Sequence, residues 1–232
     1  MSLITIYHGS SSVVEKPALG LGKPHNDYGI GFYTTINIEL AKEWACPKPG
    51  EDGFANEYTL DVSDLKVCRI SGGEYNILNW MALLLKNRNF KISQGISQSA
   101  REYLLEQFMP DVSDADVIIG YRADDSYFSY ANAFLNNGLS LQQIETAMYL
   151  GNLGEQVVLK SEKAFEKLKF IQFNVADSRI YYPKRMARDM EARRVYFEQV
   201  SIEKVVNAVY VLDIIRGGWK NDDKRLSRNL SE

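Results

Sequence analysis

Two short segments constrain this chain more than anything else in it: YHGSSS at Tyr7–Ser12 and, about twenty residues later, DYGIGFYTT at Asp27–Thr35. Each sets glycine beside a polar or aromatic side chain at the end of what reads as a short strand. Glycine there lets a ligand approach the backbone closely. The stretch between them, GSSSVVEKPALGLGKPHND, has the Gly, Ser and Pro content of a loop that can wrap a ligand. The pair therefore predicts a nucleotide pocket.

The rest of the composition narrows the reading. With 232 residues, of which 45% are hydrophobic, the chain can build a sizeable core as one domain or one domain plus an appendage. A formal net charge of -3 argues against holding nucleic acid by bulk electrostatics. Two cysteines, Cys46 and Cys68, and two histidines, His8 and His25, do not make a conventional zinc site, so reduced thiols and no structural metal are expected. The first residues, MSLITIYHG, have no basic region ahead of a long apolar one, and no run of about 18 apolar residues occurs. The expected compartment is the cytoplasm, with no membrane partner.

Leu3–Tyr7 and Gly31–Thr35 read as strands, and Asn37 can cap a helix through Glu39, Ala41, Glu43 and Ala45 that Pro47 stops. NEYTLDV at Asn56–Val62 and LKVCRI at Leu65–Ile70 read as a hairpin or as neighbouring strands. Apolar residues at helical intervals predict helices over Tyr75–Asn87 and Ser97–Phe108, each with one face in the core. Val117–Tyr121 reads as a strand, Ser126–Leu150 as helical with a break at Gly138, and Glu155–Leu159 and Phe170–Val175 as further strands. Beyond Pro183 the chain turns charged and helical. Its cations Lys184, Arg185, Arg188, Arg193 and Arg194 are interleaved with acids, the pattern of a solvated helix face.

In this order, strand-end YHG, then YGxGFY opening a helix, then a short strand with an acidic or amide residue, the motifs resemble the His-Tyr-Glu branch of the ADP-ribosyltransferase superfamily, which includes diphtheria toxin and the poly(ADP-ribose) polymerases. The match covers roughly Ile4 to Phe173 and is nearest to toxin-like bacterial members that share YHGS, GxGFYTT with a following AxxWA, and a late Gln-bearing strand. The resemblance implies an α+β fold with a split antiparallel sheet, flanking helices and a helical C-terminal extension, divided as residues 1–175 and 176–232.

It also implies site residues. His8 would donate a hydrogen bond to the adenosine-side ribose of NAD, the Gly9 backbone would hold the nicotinamide carboxamide with help from Ser10, and Tyr33 would stack. Trp44, eleven residues after Tyr33, would form a second aromatic wall or serve as an ordinary core residue. Chemistry at the glycosidic carbon passes through an oxocarbenium-like state, for which a carboxylate is the best partner. The family register puts Gln156 at that place. Glu155 and Gln156 are adjacent on a strand, so only one faces the pocket. An amide cannot act as a base, which leaves Asp124 and Asp125 as candidates to complete the set or, equally, as the cap and first turn of the following helix.

The function implied is ADP-ribosyl transfer from NAD, consumed as a substrate, to an unknown protein or nucleic-acid acceptor, in a bacterial toxin with a neighbouring antitoxin as a further partner. The alternatives are an NAD glycohydrolase and a catalytically silent module that binds NAD or a partner.

Overall fold

The strand patterns and helix caps read above are realised in a computed structural model that describes residues 2–92, 94–123, 125–150, 154–201 and 207–227. In chain order the elements are β1 (Leu3–Ser10), β2 (Phe32–Thr34), α1 (Ile38–Ala45), β3 (Gly53–Asp61), β4 (Val67–Arg69), α2 (Ile77–Asn87), α3 (Ile96–Gln107) and β5 (Val117–Tyr121). There follow α4 (Asp125–Leu135), α5 (Leu141–Leu150), β6 (Glu155–Leu159), α6 (Glu162–Glu166), β7 (Leu168–Ala176), α7 (Ser178–Ser201), α8 (Val211–Arg216) and α9 (Lys224–Ser227). The chain is thus of the α+β class. It packs as two units, the first formed by Met1–Arg69, Asp111–Arg122 and Gly154–Arg188, the second by Ile70–Pro110, Ala123–Leu153 and Asp189–Glu232.

The first unit holds both sheets. One has the order β1-β3-β7 and is antiparallel throughout, with Ile6 opposite Tyr58 and Asn56 opposite Phe173. The other has the order β2-β6-β5-β4, in which β4 runs parallel to β5 and the remaining pairs are antiparallel. Alternation along the strands turns Ile6, Phe32, Tyr58, Leu60, Val157 and Leu159 into one buried cluster shared by the two sheets. A single antiparallel bridge joins β1 to the end of β2: Tyr7 N donates to Thr35 O at 2.7 Å and Thr35 N to Tyr7 O at 2.9 Å.

Two expectations change here. The runs read as a hairpin, now β3 and β4, lie in different sheets. Asp116 takes the Lys66 amide at 2.8 Å through Oδ2, and its own amide donates to Lys66 O at 2.9 Å, so the chain leaving β3 is drawn to β5 instead of folding back. The second change is at α7, which begins ahead of Pro183. Asp177 accepts from the Arg179 amide at 2.9 Å and so caps the helix six residues upstream of the proline. Its cations are not all on a solvated face either. Arg188 donates to both oxygens of Glu43 on α1, at 2.8 and 2.9 Å, and Lys184 to Glu39 at 2.9 Å.

The helix α1 begins where the sequence placed it, with the Asn37 side chain accepting from the Glu39 and Leu40 amides. In the second unit α2 is buried over every residue from Ile77 to Leu85, more than the single face its periodicity predicts. A helix apolar on all sides must be enclosed. Its one buried amide, Asn79, is satisfied by donating to Phe108 O and Asn221 Oδ1, both at 2.8 Å. The helical region after β5 does break near Gly138: Asn137 takes φ 62 and Gly138 N donates to Ala133 O at 2.7 Å. Among the described residues no helix is long and apolar enough to cross a membrane.

Candidate functional site

Every sequence-predicted site residue that the structure describes, Asp125 excepted, lies in the first unit. His8 is half-buried on β1, its ring 4.5 Å from the Phe32 ring. Its Nδ1 is 2.7 Å from the Tyr33 carbonyl oxygen. A carbonyl only accepts, so Nδ1 carries the proton, and in the neutral ring Nε2 is left as an acceptor. Burial pushes the His8 pKa down, against a smaller upward effect of the Tyr33 carbonyl, so the neutral form is favoured.

Gly9 follows, and its missing side chain has a different use from the one its motif suggests. A Cβ there would lie 2.0 Å from Ala41 O and 2.9 Å from Ala45 N, so glycine admits the backbone of α1, not a ligand. Gly31 likewise admits β6, where a Cβ would come 2.9 Å from Leu159 O. The in-plane groups of Gly9 are another matter. Tyr7 gives both its amide groups to Thr35, and every second residue of a strand points its N–H and C=O the same way. Gly9 therefore turns a donor and an acceptor to that edge, past the bridge. Among the described residues neither group has a partner there. Ser10 accepts the Ser12 amide at 3.2 Å and turns the chain.

Tyr33 anchors the loop that precedes it. Its hydroxyl donates to Gly29 O at 2.7 Å and accepts from Tyr28 N at 3.0 Å. Lys160, just after β6, donates to Tyr28 O at 2.6 Å and to Ile30 O at 2.5 Å, and Tyr28 OH donates to Tyr121 O at 2.7 Å. Burial lowers the Lys160 pKa. Tyr33, Lys160 and Tyr28 thus hold the 27–31 loop by five hydrogen bonds.

The register on β6 settles which neighbour faces in. Tyr33 pairs with Val158, and Gln156, two residues away, lies on the same face. Gln156 is 6% exposed; its Nε2 donates at 3.2 Å to Asp27 Oδ2, and its Oε1 is buried without a hydrogen-bond partner. Glu155 points the other way, into a pair with Arg69 at 2.7 Å. Asp124 lies outside the described residues, as does the side chain of Asp125, the first residue of α4.

Trp44 sits on α1. The Arg122 guanidinium lies 4.8 Å from the centre of its ring and occupies one face, while its Nε1 is buried without a hydrogen-bond partner. Two residues carry the site without having been singled out in the sequence. Asp27, 3% exposed, stands in the second motif but carries no spacing signal. Asn56, fully buried on β3, accepts the Val14 amide at 2.9 Å and donates to the His8 carbonyl at 3.2 Å and to Ser12 O at 3.3 Å, pinning the chain after the first motif. An amide in an otherwise alternating strand was the available signal.

The arrangement is that of an α+β unit with a polar site where two sheets meet, built from β1, β2, β6 and one anchored loop. The chain belongs to the family described as protein of unknown function (DUF3990), whose family model matches residues 4–170. No curated protein and no solved structure matches it.

Proposed function

We propose that this chain is an NAD-dependent ADP-ribosyltransferase related to the His-Tyr-Glu branch, transferring ADP-ribose to a macromolecular acceptor and releasing nicotinamide, and acting as a toxin restrained by an antitoxin. The observation that carries the reading is the closure of residues far apart in sequence: His8 on the Tyr33 carbonyl at 2.7 Å, with Gln156 and Tyr33 on one sheet face. The open Gly9 N–H and C=O suit a planar carboxamide, which needs one acceptor and one donor. His8, with Nε2 as acceptor, takes a hydrogen bond from a ribose hydroxyl instead of giving one. Trp44 offers a nicotinamide ring the face that Arg122 leaves.

In the reaction the bond from ribose C1′ to the nicotinamide nitrogen breaks, its electron pair neutralising the pyridinium. The acceptor's lone pair forms the new bond to C1′, and its proton passes to solvent. The amide at Gln156 in place of a carboxylate favours a second reading, a module that binds NAD without turning it over.

The test is incubation with NAD labelled in its adenylate part and a cell extract, with Tyr33→Ala alongside. Tyr33-dependent label on a macromolecule is expected. Tyr33-dependent free ADP-ribose alone makes the chain a glycohydrolase, and intact NAD with retained binding makes it a binding module.

A further inference from the structure

Stabilising an oxocarbenium ion asks for negative charge near the sugar, yet β6 supplies an amide. We infer that Asp27 supplies that charge: it fixes the Gln156 amide with its nitrogen inward and its oxygen free to accept from a sugar hydroxyl, so that the two residues share the task of one glutamate. The inference rests on the transferase reading.

Three observations carry it. Gln156 Nε2 donates to Asp27 Oδ2 at 3.2 Å, the arrangement in which the carboxylate oxygen accepts and the amide nitrogen is turned toward it. The opposite amide atom, Oε1, is then turned away from Asp27, and it is the one buried without a partner on a side chain that is 6% exposed. A buried acceptor left open is unusual in a folded protein and marks a place for a donor, which a ribose hydroxyl is. Asp27 is itself held in place, because the residues after it are fixed by Tyr33, by Tyr28 OH and by the two donations of Lys160, which reaches the loop from the end of β6.

The pair also accounts for the departure from the family pattern. A glutamate at 156 would set two carboxylates within hydrogen-bond distance in a buried place, and one of them would be driven to hold a proton. With Asp27 present, an amide at 156 leaves one carboxylate in the pair and accepts no second charge. Asp27 is in this sense a positioning residue: it acts on the sugar through Gln156.

The experiment measures kcat and KM for nicotinamide release from NAD with wild type, Asp27→Asn, Gln156→Glu and the exchange variant Asp27→Asn/Gln156→Glu, beside Tyr33→Ala and a thermal melt of each. The expected result for Asp27→Asn is a kcat lower by about tenfold or more with KM within about threefold, since charge and orientation matter most in the transition state. Gln156→Glu alone should lose a similar factor at neutral pH and gain a new titration in its pH profile. The exchange variant, again with one carboxylate and one amide in the pair, should return to within about threefold of wild type without that titration. A merely structural Asp27 would move the melt and leave kcat alone.

Wild-type kcat in Asp27→Asn, with cleavage lost in Tyr33→Ala, overturns the inference and leaves the transferase reading standing. A wild type that neither binds nor cleaves NAD overturns both. Should Asp27→Asn fail to fold, the exchange variant decides: recovery supports the shared charge, and a kcat still about tenfold down overturns it.

Discussion

The β1 side of the site and its β6 side are finished differently. On the β1 side the conspicuous side chains are spent on the protein: His8 on the Tyr33 carbonyl, the Tyr33 hydroxyl on the 27–31 loop, the bare Cα of Gly9 on α1. What stays open there is backbone. On the β6 side a side-chain oxygen, Gln156 Oε1, is left open, backed by the carboxylate of Asp27. On one side the motif's side chains build the scaffold and its backbone stays open; on the other the side chain itself stays open.

The hardest blow to this contrast is Gly9→Ala. Its Cβ would meet the backbone of α1 at 2.0 Å, with no flexible side chain to yield, so the loss of stability should reach about 3 kcal/mol or more. A thermal melt should fall by about 6–12 °C. An unchanged melt would mean that α1 is not seated on β1, and Gly9 would return to the role its motif first suggested.

Tyr33→Phe comes next. It removes two hydrogen bonds from the 27–31 loop while keeping the ring, for about 2 kcal/mol by urea denaturation. A neutral stability with lost NAD cleavage would move the Tyr33 hydroxyl from scaffold to chemistry and erase the distinction between the two sides.

The His8 ring gives a pH test of smaller size. Its folded pKa lies below the ordinary value of 6.5 because burial disfavours the charge. Below 6.5 the unfolded chain takes up a proton that the folded one resists, so stability is complete above that pH and falls as pH drops toward the lowered folded value. His8→Gln should flatten this slope in melts run from neutral to acid pH. If the slope survives the substitution, another group is its source.

The smallest effect belongs to Glu155→Gln. The exposed pair with Arg69 is worth less than about 1 kcal/mol, and under the proposed transferase reading NAD cleavage should be unchanged. A large loss of cleavage would reverse the register on β6 and with it the assignment of Gln156.

Local signals were legible where local physics decides. The Asn37 cap, the strands Val117–Tyr121 and Glu155–Leu159, and the break at Gly138 follow from propensity and alternation, and each stands within a residue or two of its expected place. The strand alternation also said that Glu155 and Gln156 would part company. Partner choice was not legible. Nothing local tells β4 to leave β3 for β5, since that is decided by Asp116, about fifty residues on. Asp27 was hidden for the same reason: a lone carboxylate in a glycine-rich motif looks like any turn residue until a strand 129 residues later comes to lie against it. The sequence showed the glycines but not what would fill the space they leave.

That long reach has a consequence for when the protein becomes capable of anything. β3 waits for β7 and Asp27 waits for Gln156, so neither the three-stranded sheet nor the polar pair can form while the chain is still being made through α5. A nascent chain that has emerged only as far as Leu150 carries both glycine motifs and no site. The pair closes only once β6 has followed the helices, and the sheet only once β7 has, so a chain cut short before them has neither.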